Sequence, residues 1–205
     1  MGRIARWTAA DVLEAVDRKD THTGRHARAV ARLSALVGLE MGLPTCEIGA
    51  LLIGALLHDV GKIFVPDAIL KKPGPLTPEE RKVVELHPIA GSQVLEYLRV
   101  LPASTAAVKH HHERYDGNGY PEGLCGEEIP LAARIILATD AFDSMVRDRS
   151  YRQGITSEKA LEEITSNAGT QFDPKVVQAL KVTTTGPVRT CAHSPKQPAP
   201  TGALL

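Results

Sequence analysis

Eight histidines stand in the chain, at positions 22, 26, 58, 87, 110, 111, 112 and 193. Seven fall between 22 and 112. His58 is followed directly by Asp59, and His111-His112 by Glu113. A lone histidine on an apolar face is usually a satisfied core residue. Several of them on the inward faces of different helices are harder to account for. Burying imidazoles and carboxylates side by side costs free energy unless something neutralises them, and a bound metal does so. No cysteine falls in the pattern, which excludes soft thiolate sites, and nitrogen and oxygen donors suit iron, manganese, zinc or nickel. More than four candidate ligands favour two or three metals over one structural zinc. Two metals about 4 Å apart are a common arrangement for in-line displacement at phosphorus.

These donors need elements to position them. His26 continues a helical stripe of Val30, Leu33 and Val37, at steps of three and four. Thr45 is expected to cap the next helix, whose buried face Ile48, Leu51, Leu52 and Ala55 ends at His58. Adjacent side chains on a helix diverge by about 100°. At a helix C-terminus, however, His58 and Asp59 can both reach one ion or a close pair. Gly61 would let that helix stop. Lys62 reads either as an anion clamp or as a solvated surface lysine. His87-Pro88 lies on the helix opened by Thr77-Pro78-Glu79-Glu80, with Pro88 interrupting it. Three successive histidines cannot all face inward, so at least one is expected in solvent. Asp140 lies in the apolar run Ile135 to Phe142 and needs a partner, a metal or a salt bridge. Asp143 could orient the same cluster or pair with Arg147.

The remaining elements are helices too. A short one is expected over Val12 to Val16, and Pro102 starts one running toward His112. Pro130 opens a helix to Met145, Ser157 one to about Asn167, and Asp173-Pro174 a last one to about Leu180. Between them, Tyr115 to Ile129 holds Gly117, Gly119, Pro121, Gly123 and Gly126 and reads as a structured loop. The fold class is all-α. Residues 1–19 form a helical lead-in, 20–182 the domain, and 183–205 a disordered tail rich in Thr, Pro, Ala and Gly.

Composition narrows the function classes. At 43% hydrophobic and 23% charged residues the chain can bury a core. Its formal net charge of zero argues against a general binder of polymeric nucleic acid. Cys46, Cys125 and Cys191 are too few for a disulfide scaffold and suit a reducing cytoplasm. No apolar run approaches the ~20 residues of a membrane span, and no signal core follows the N-terminus.

The segments His58-Asp59-Val60-Gly61-Lys62 and His111-His112-Glu113-Arg114-Tyr115-Asp116-Gly117-Asn118-Gly119-Tyr120-Pro121 resemble the HD-GYP domain, a branch of the HD phosphohydrolase superfamily. Asp20 to His26 resembles its opening motif. Lys72-Pro73-Gly74-Pro75-Leu76-Thr77 and His87-Pro88 resemble its middle. Arg134-Ile135-Ile136 with Asp140, Arg149-Ser150-Tyr151-Arg152 and Phe172-Asp173-Pro174 resemble its end. The likeness spans about Asp20 to Val177.

The resemblance implies an HD-domain helical bundle that hydrolyses cyclic di-GMP to linear pGpG, and to GMP after a second cut, by attack of a metal-bound hydroxide on phosphorus. It implies metal ligands at His26, His58, Asp59, His87, His111, His112 and Asp140, holding two divalent ions, iron or manganese. His22, four residues before His26, would hold a third. Lys62 is implied to contact the scissile phosphate, Gly119 and Tyr120 to line the nucleotide pocket, and Arg149 and Arg152 to contact guanine or phosphate. Protein partners are implied at the loop around Tyr120. Ser150 stands where a proline is common, and His110, an extra histidine beside the implied ligand pair, is expected in solvent. Cys125 is expected to be a small packing residue. No receiver, sensor or GGDEF segment accompanies the motifs, so regulatory input is expected from elsewhere. Two other readings stay open. One is a phosphohydrolase for another cyclic dinucleotide. The other is a cyclic dinucleotide receptor or protein-interaction module with little turnover, against which the full set of ligands counts.

Overall fold

A computed structural model describes residues 23–148 and 153–186. The expected helix over Val12 to Val16 and most of the expected tail lie outside these residues. Among the described residues the elements run α1 Thr23–Glu40, α2 Thr45–Leu57, a 3₁₀ turn Val60–Phe64, α3 Asp67–Leu70, α4 Pro78–Val84, α5 His87–Tyr97, α6 Pro102–His110, a 3₁₀ turn Gly126–Glu128, α7 Leu131–Val146, α8 Ser157–Ser166 and α9 Pro174–Thr185. No strand forms among them, only isolated bridges from Asp116 to Cys125 and from Ala168 to Phe172. The all-α expectation holds.

The main core lies where α1 meets α2, α7 and α9. From α1 it takes Val30, Ala31 and Val37, from α2 Leu51 and Ala55, and from α7 Ile135, Ile136 and Phe142. Val176 and Leu180 of α9 and Ile164 of α8 close it. Each fully buried aliphatic side chain contributes roughly 1.5–3 kcal/mol. Ser34 and Thr139 share a 2.7 Å hydrogen bond inside this core and tie α1 to α7. A second, smaller cluster of Leu57, Val60, Leu95 and Val108 joins the end of α2, the 3₁₀ turn, α5 and α6. It lies beneath the histidines, because Leu57 and Val60 bracket His58-Asp59 and Val108 precedes His111 by three residues.

Several helix boundaries differ from the sequence reading. Leu52 is exposed, because it sits one residue, and so about 100°, round the helix from Leu51. Thr45 is the first helical residue rather than the cap, which Pro44 occupies without a side-chain bond. Ser157 does open α8, with Thr156 before it as the cap, accepting from the Lys159 amide. Thr77 does cap α4, in a reciprocal pair with Glu80. Asp173 caps α9, which runs on to Thr185 and so takes in residues assigned above to the tail. No helix among the described residues is long and apolar enough to cross a membrane.

Candidate metal centre

Donor atoms from α1, α5 and α7 and from the turns that follow α2 and α6 converge in two adjoining groups. His26, His58 and Asp140 form one, and His87, His111 and His112 the other, each with its ligand atoms within 4.8 Å of one another. The His58 and His111 rings, 5.2 Å between centroids, join the two. Asp59 reaches both groups. Its Oδ2 lies 3.4 Å from His58 Nε2 and its Oδ1 3.4 Å from His87 Nε2. All seven candidate ligands therefore meet. His22, Arg149 and Arg152 lie outside the described residues.

Local backbone explains the placement of His58-Asp59. His58 ends α2 with helical angles, and Asp59 then turns to φ −95°, ψ 5°, out of the helical register. That turn brings the two side chains together although they are sequence neighbours. Gly61 does not serve to stop the helix. A Cβ there would lie 1.9 Å from the His87 carbonyl oxygen and 2.6 Å from the Gly91 amide nitrogen. The missing side chain is what lets the 3₁₀ turn press against the start of α5. His87 likewise does not close the helix opened at Thr77 but opens the next one. The chain breaks after Val84 and restarts at His87, with Pro88 in the first turn of α5, where its absent N–H costs nothing.

Three histidines have their tautomer set by the backbone. His58 Nδ1 donates to the Ala55 carbonyl, His87 Nδ1 to Val84 and His111 Nδ1 to Val108, each at 2.7 Å and each three residues back. A carbonyl only accepts, so a proton sits on Nδ1, and in the neutral ring Nε2 faces the centre as a lone pair. His58 Nε2 is buried without a hydrogen-bond partner. His87 Nε2 and His111 Nε2 stand 3.3 Å apart. Such an array suits divalent metal ions, with the carbonyl partners orienting each ring. Asp143 orients His26 in a related way, accepting from Nδ1 at 2.6 Å, while Asp140 stands 2.9 Å from Nε2. Asp143 also takes a two-pronged contact from Arg147, so it fills both roles considered for it.

The two groups differ electrostatically. Burial opposes charge on His26, but hydrogen bonds to Asp140 and Asp143, with the negative charge of Asp59 nearby, outweigh it and push its pKa up to about 9. Burial likewise opposes charge on His58, and Asp59 and Asp140 overcome it. At His111 and His112 burial prevails. His111 is held well below the usual imidazole value, and His112 is pushed down to about 3 by burial and by His87. Burial opposes charge on Asp59, yet Lys62, whose Nζ donates to Oδ2 at 2.7 Å, and His58 hold its carboxyl well below the carboxylate range.

The glycine-rich loop folds back onto this centre. Tyr120 stacks on the His112 ring at 4.9 Å and an interplanar angle of 25°. A Cβ on Gly119 would lie 2.2 Å from the Arg114 amide nitrogen, so the loop rests flush on the backbone of residues 112–114. Cys125 is exposed and packs against no core. His110 is buried rather than solvated, facing Glu113 and Glu122 at 3.8 and 3.7 Å. Glu113, fully buried, escaped the sequence reading. The one available signal was a carboxylate placed directly between a histidine pair and a glycine-rich loop.

The sequence pattern of the HD domain family matches residues 12–176. Over 177 residues the chain is 38% identical to a cyclic di-GMP phosphodiesterase response regulator of Xanthomonas campestris pv. campestris, covering 85% of this chain and 47% of that protein. Over 164 residues it is 40% identical to a cyclic di-GMP phosphodiesterase of Thermotoga maritima, covering 79% of this chain and 45% of that protein. The chain thus spans less than half the length of both relatives. The crystal structure of a cyclic GMP-AMP specific phosphodiesterase of Vibrio cholerae superposes with a TM-score of 0.63 at 23% identity, covering 83% of this chain and 46% of that one, a likeness of fold.

Proposed function

The chain belongs to the HD-GYP branch of the HD domain family, and on that basis we propose that it is a metal-dependent phosphodiesterase hydrolysing cyclic di-GMP to linear pGpG, with GMP after a second cut. The observation that carries the reading is the convergence of six donors in two groups around Asp59, whose two oxygens point one to each. In this reading His26, His58 and Asp140 hold one ion, and His87, His111 and His112 the other. Asp59 serves both, and His22 would add a donor for a third. The oxygen and imidazole donor set suits iron or manganese. When bound, such ions supply Lewis acidity and a nucleophile at neutral pH.

The chain's own groups orient the substrate. The Lys62 ammonium, beside Asp59, would neutralise charge on the non-bridging phosphate oxygens as the phosphorus–O3′ bond breaks. Tyr120 and Gly119 would border the nucleotide pocket, and Arg149 and Arg152 would contact guanine or phosphate. Residues 20–182 would form the catalytic domain, with the loop around Tyr120 also open to protein partners. Exposed free thiols at Cys46 and Cys125 favour the cytoplasm.

The test is to purify the protein without oxygen, measure metal per chain, and incubate it with cyclic di-GMP or 3′3′-cGAMP and iron(II) or manganese(II), beside Asp59→Ala. Product from cyclic di-GMP in the wild type alone, with about two ions per chain, is expected. Faster turnover of cGAMP would reassign the substrate. Nucleotide and metal held without product would make the protein a receptor.

A further inference from the structure

Glu113 is fully buried immediately after the last histidine of the His87–His111–His112 group. Its Oε1 accepts hydrogen bonds from the backbone amides of Glu122 at 2.7 Å and Gly123 at 3.1 Å. Its Oε2 is buried without a hydrogen-bond partner. A carboxylate shut away with one oxygen unpaired is a poor stabiliser by itself. What it does is aim the chain. The two amides it grips lie just beyond Tyr120, the residue stacked on His112. The same loop is fastened on its other side, where the Tyr120 amide donates to the His112 carbonyl at 3.3 Å and Gly119 lies flush on residues 112–114.

Among the described residues no backbone carbonyl accepts from the His112 ring, unlike those of His58, His87 and His111, each of which donates Nδ1–H to one three residues back. Its ring instead stacks on Tyr120 and meets the His111 and His87 rings, 4.1 and 5.0 Å between centroids.

We propose that Glu113 is a positioning residue. It clasps the 120–123 turn, the turn seats Tyr120 on His112, and the seated Tyr120 fixes the His112 ring for a divalent metal. The inference rests on the reading of His87, His111 and His112 as a metal group. It assigns the glycine-rich loop a task before any nucleotide arrives.

The clasp and the metal group are tested separately. In metal-free protein, amide exchange at Glu122 and Gly123 reads the clasp alone. Glu113→Ala should speed it tenfold or more. Glu113→Gln, whose amide oxygen can accept both bonds, should leave it close to wild type. Equilibrium titration with manganese(II) reads the consequence. Glu113→Ala should weaken binding ten- to a hundredfold, the range for groups that orient a ligand, and Glu113→Gln should restore it. Tyr120→Leu, which leaves Glu113 intact, should weaken binding comparably while the two amides stay protected. The double variant should be no weaker than the worse single one. Wild-type manganese affinity in Glu113→Ala or in Tyr120→Leu overturns the proposal, as does a Gln variant as weak as the Ala one. Unchanged affinity in His111→Ala would instead sink the metal group itself, whatever the amides report.

Discussion

His87 Nε2 and His111 Nε2 face each other across 3.3 Å, while the Nδ1–H of each is committed to a backbone carbonyl. Neither Nε2 then has a proton to offer the other, and two lone pairs at that separation repel. A cation held by both would turn the repulsion into ligation. Manganese(II) at a hundred times its dissociation constant should therefore raise stability by about 2.7 kcal/mol, and chelation should reverse it. His111→Ala should lose much of that gain and about one bound ion per chain. Thermal melts with and without chelator, with circular dichroism to check the fold, measure both.

Gly61→Ala is expected to damage the centre from behind. The new methyl would meet the His87 carbonyl and the Gly91 amide, both backbone and neither free to swing away. Overpacking of this kind costs about 1–3 kcal/mol. The shift would fall on His87, so manganese affinity should drop as well as Tm. A variant with a lowered Tm and unaltered metal affinity would mean that the turn and α5 do not move together.

The metal-free protein should be most stable near pH 6.5. His26 has a folded pKa raised from 6.5 to about 9, so its contribution is complete below pH 6.5 and is lost as pH climbs through 9. His112 has a folded pKa lowered to about 3, so its contribution is present above pH 6.5 and is lost as pH falls toward 3. Each slope is at most about 1.4 kcal/mol per pH unit per proton. Urea midpoints of chelated protein across this range should trace a peak. Bound metal should flatten the alkaline side, because His26 has then already given up its Nε2 proton. A metal-free profile rising steadily to pH 9 would contradict the His26 assignment.

Lys62→Met keeps the length of the side chain and removes its charge. Lys62 lies beside Asp59 and outside both donor groups, so metal content should stay near wild type. Turnover of cyclic di-GMP should fall by about 10²-fold, the scale for losing one group that stabilises developing charge. Metal analysis beside steady-state kinetics separates this from simple loss of ions. If the variant also loses metal, the lysine acts mainly by holding Asp59.

Much of the centre was legible because its parts are local. His58-Asp59 and His111-His112 are neighbours in sequence, and a helix end is where neighbours can share a target. Asp143 was legible only as a pair of alternatives, since its bond to His26 spans 117 residues. His110 and Glu113 were misread or missed. Helical periodicity places both near a helix end and says nothing of the loop that later covers them. Gly61 was read as a helix stop because its real neighbour, the His87 carbonyl, lies on another element.

By itself the sequence determined the helical elements, through periodic apolar residues and caps such as Thr77 and Asp173, and the chemistry of the donors, all nitrogen and oxygen. The tautomers of His58, His87 and His111 needed the folded backbone, since each Nδ1 donates to a carbonyl three residues back. Only the tertiary structure decided which donors stand together, that Asp59 turns one oxygen to each group, and that Tyr120 lies on His112. The reason is directional. Ligation and stacking depend on ångström distances between elements far apart in the chain, and those distances are set by how closely the backbones pack, as at Gly61 and Gly119.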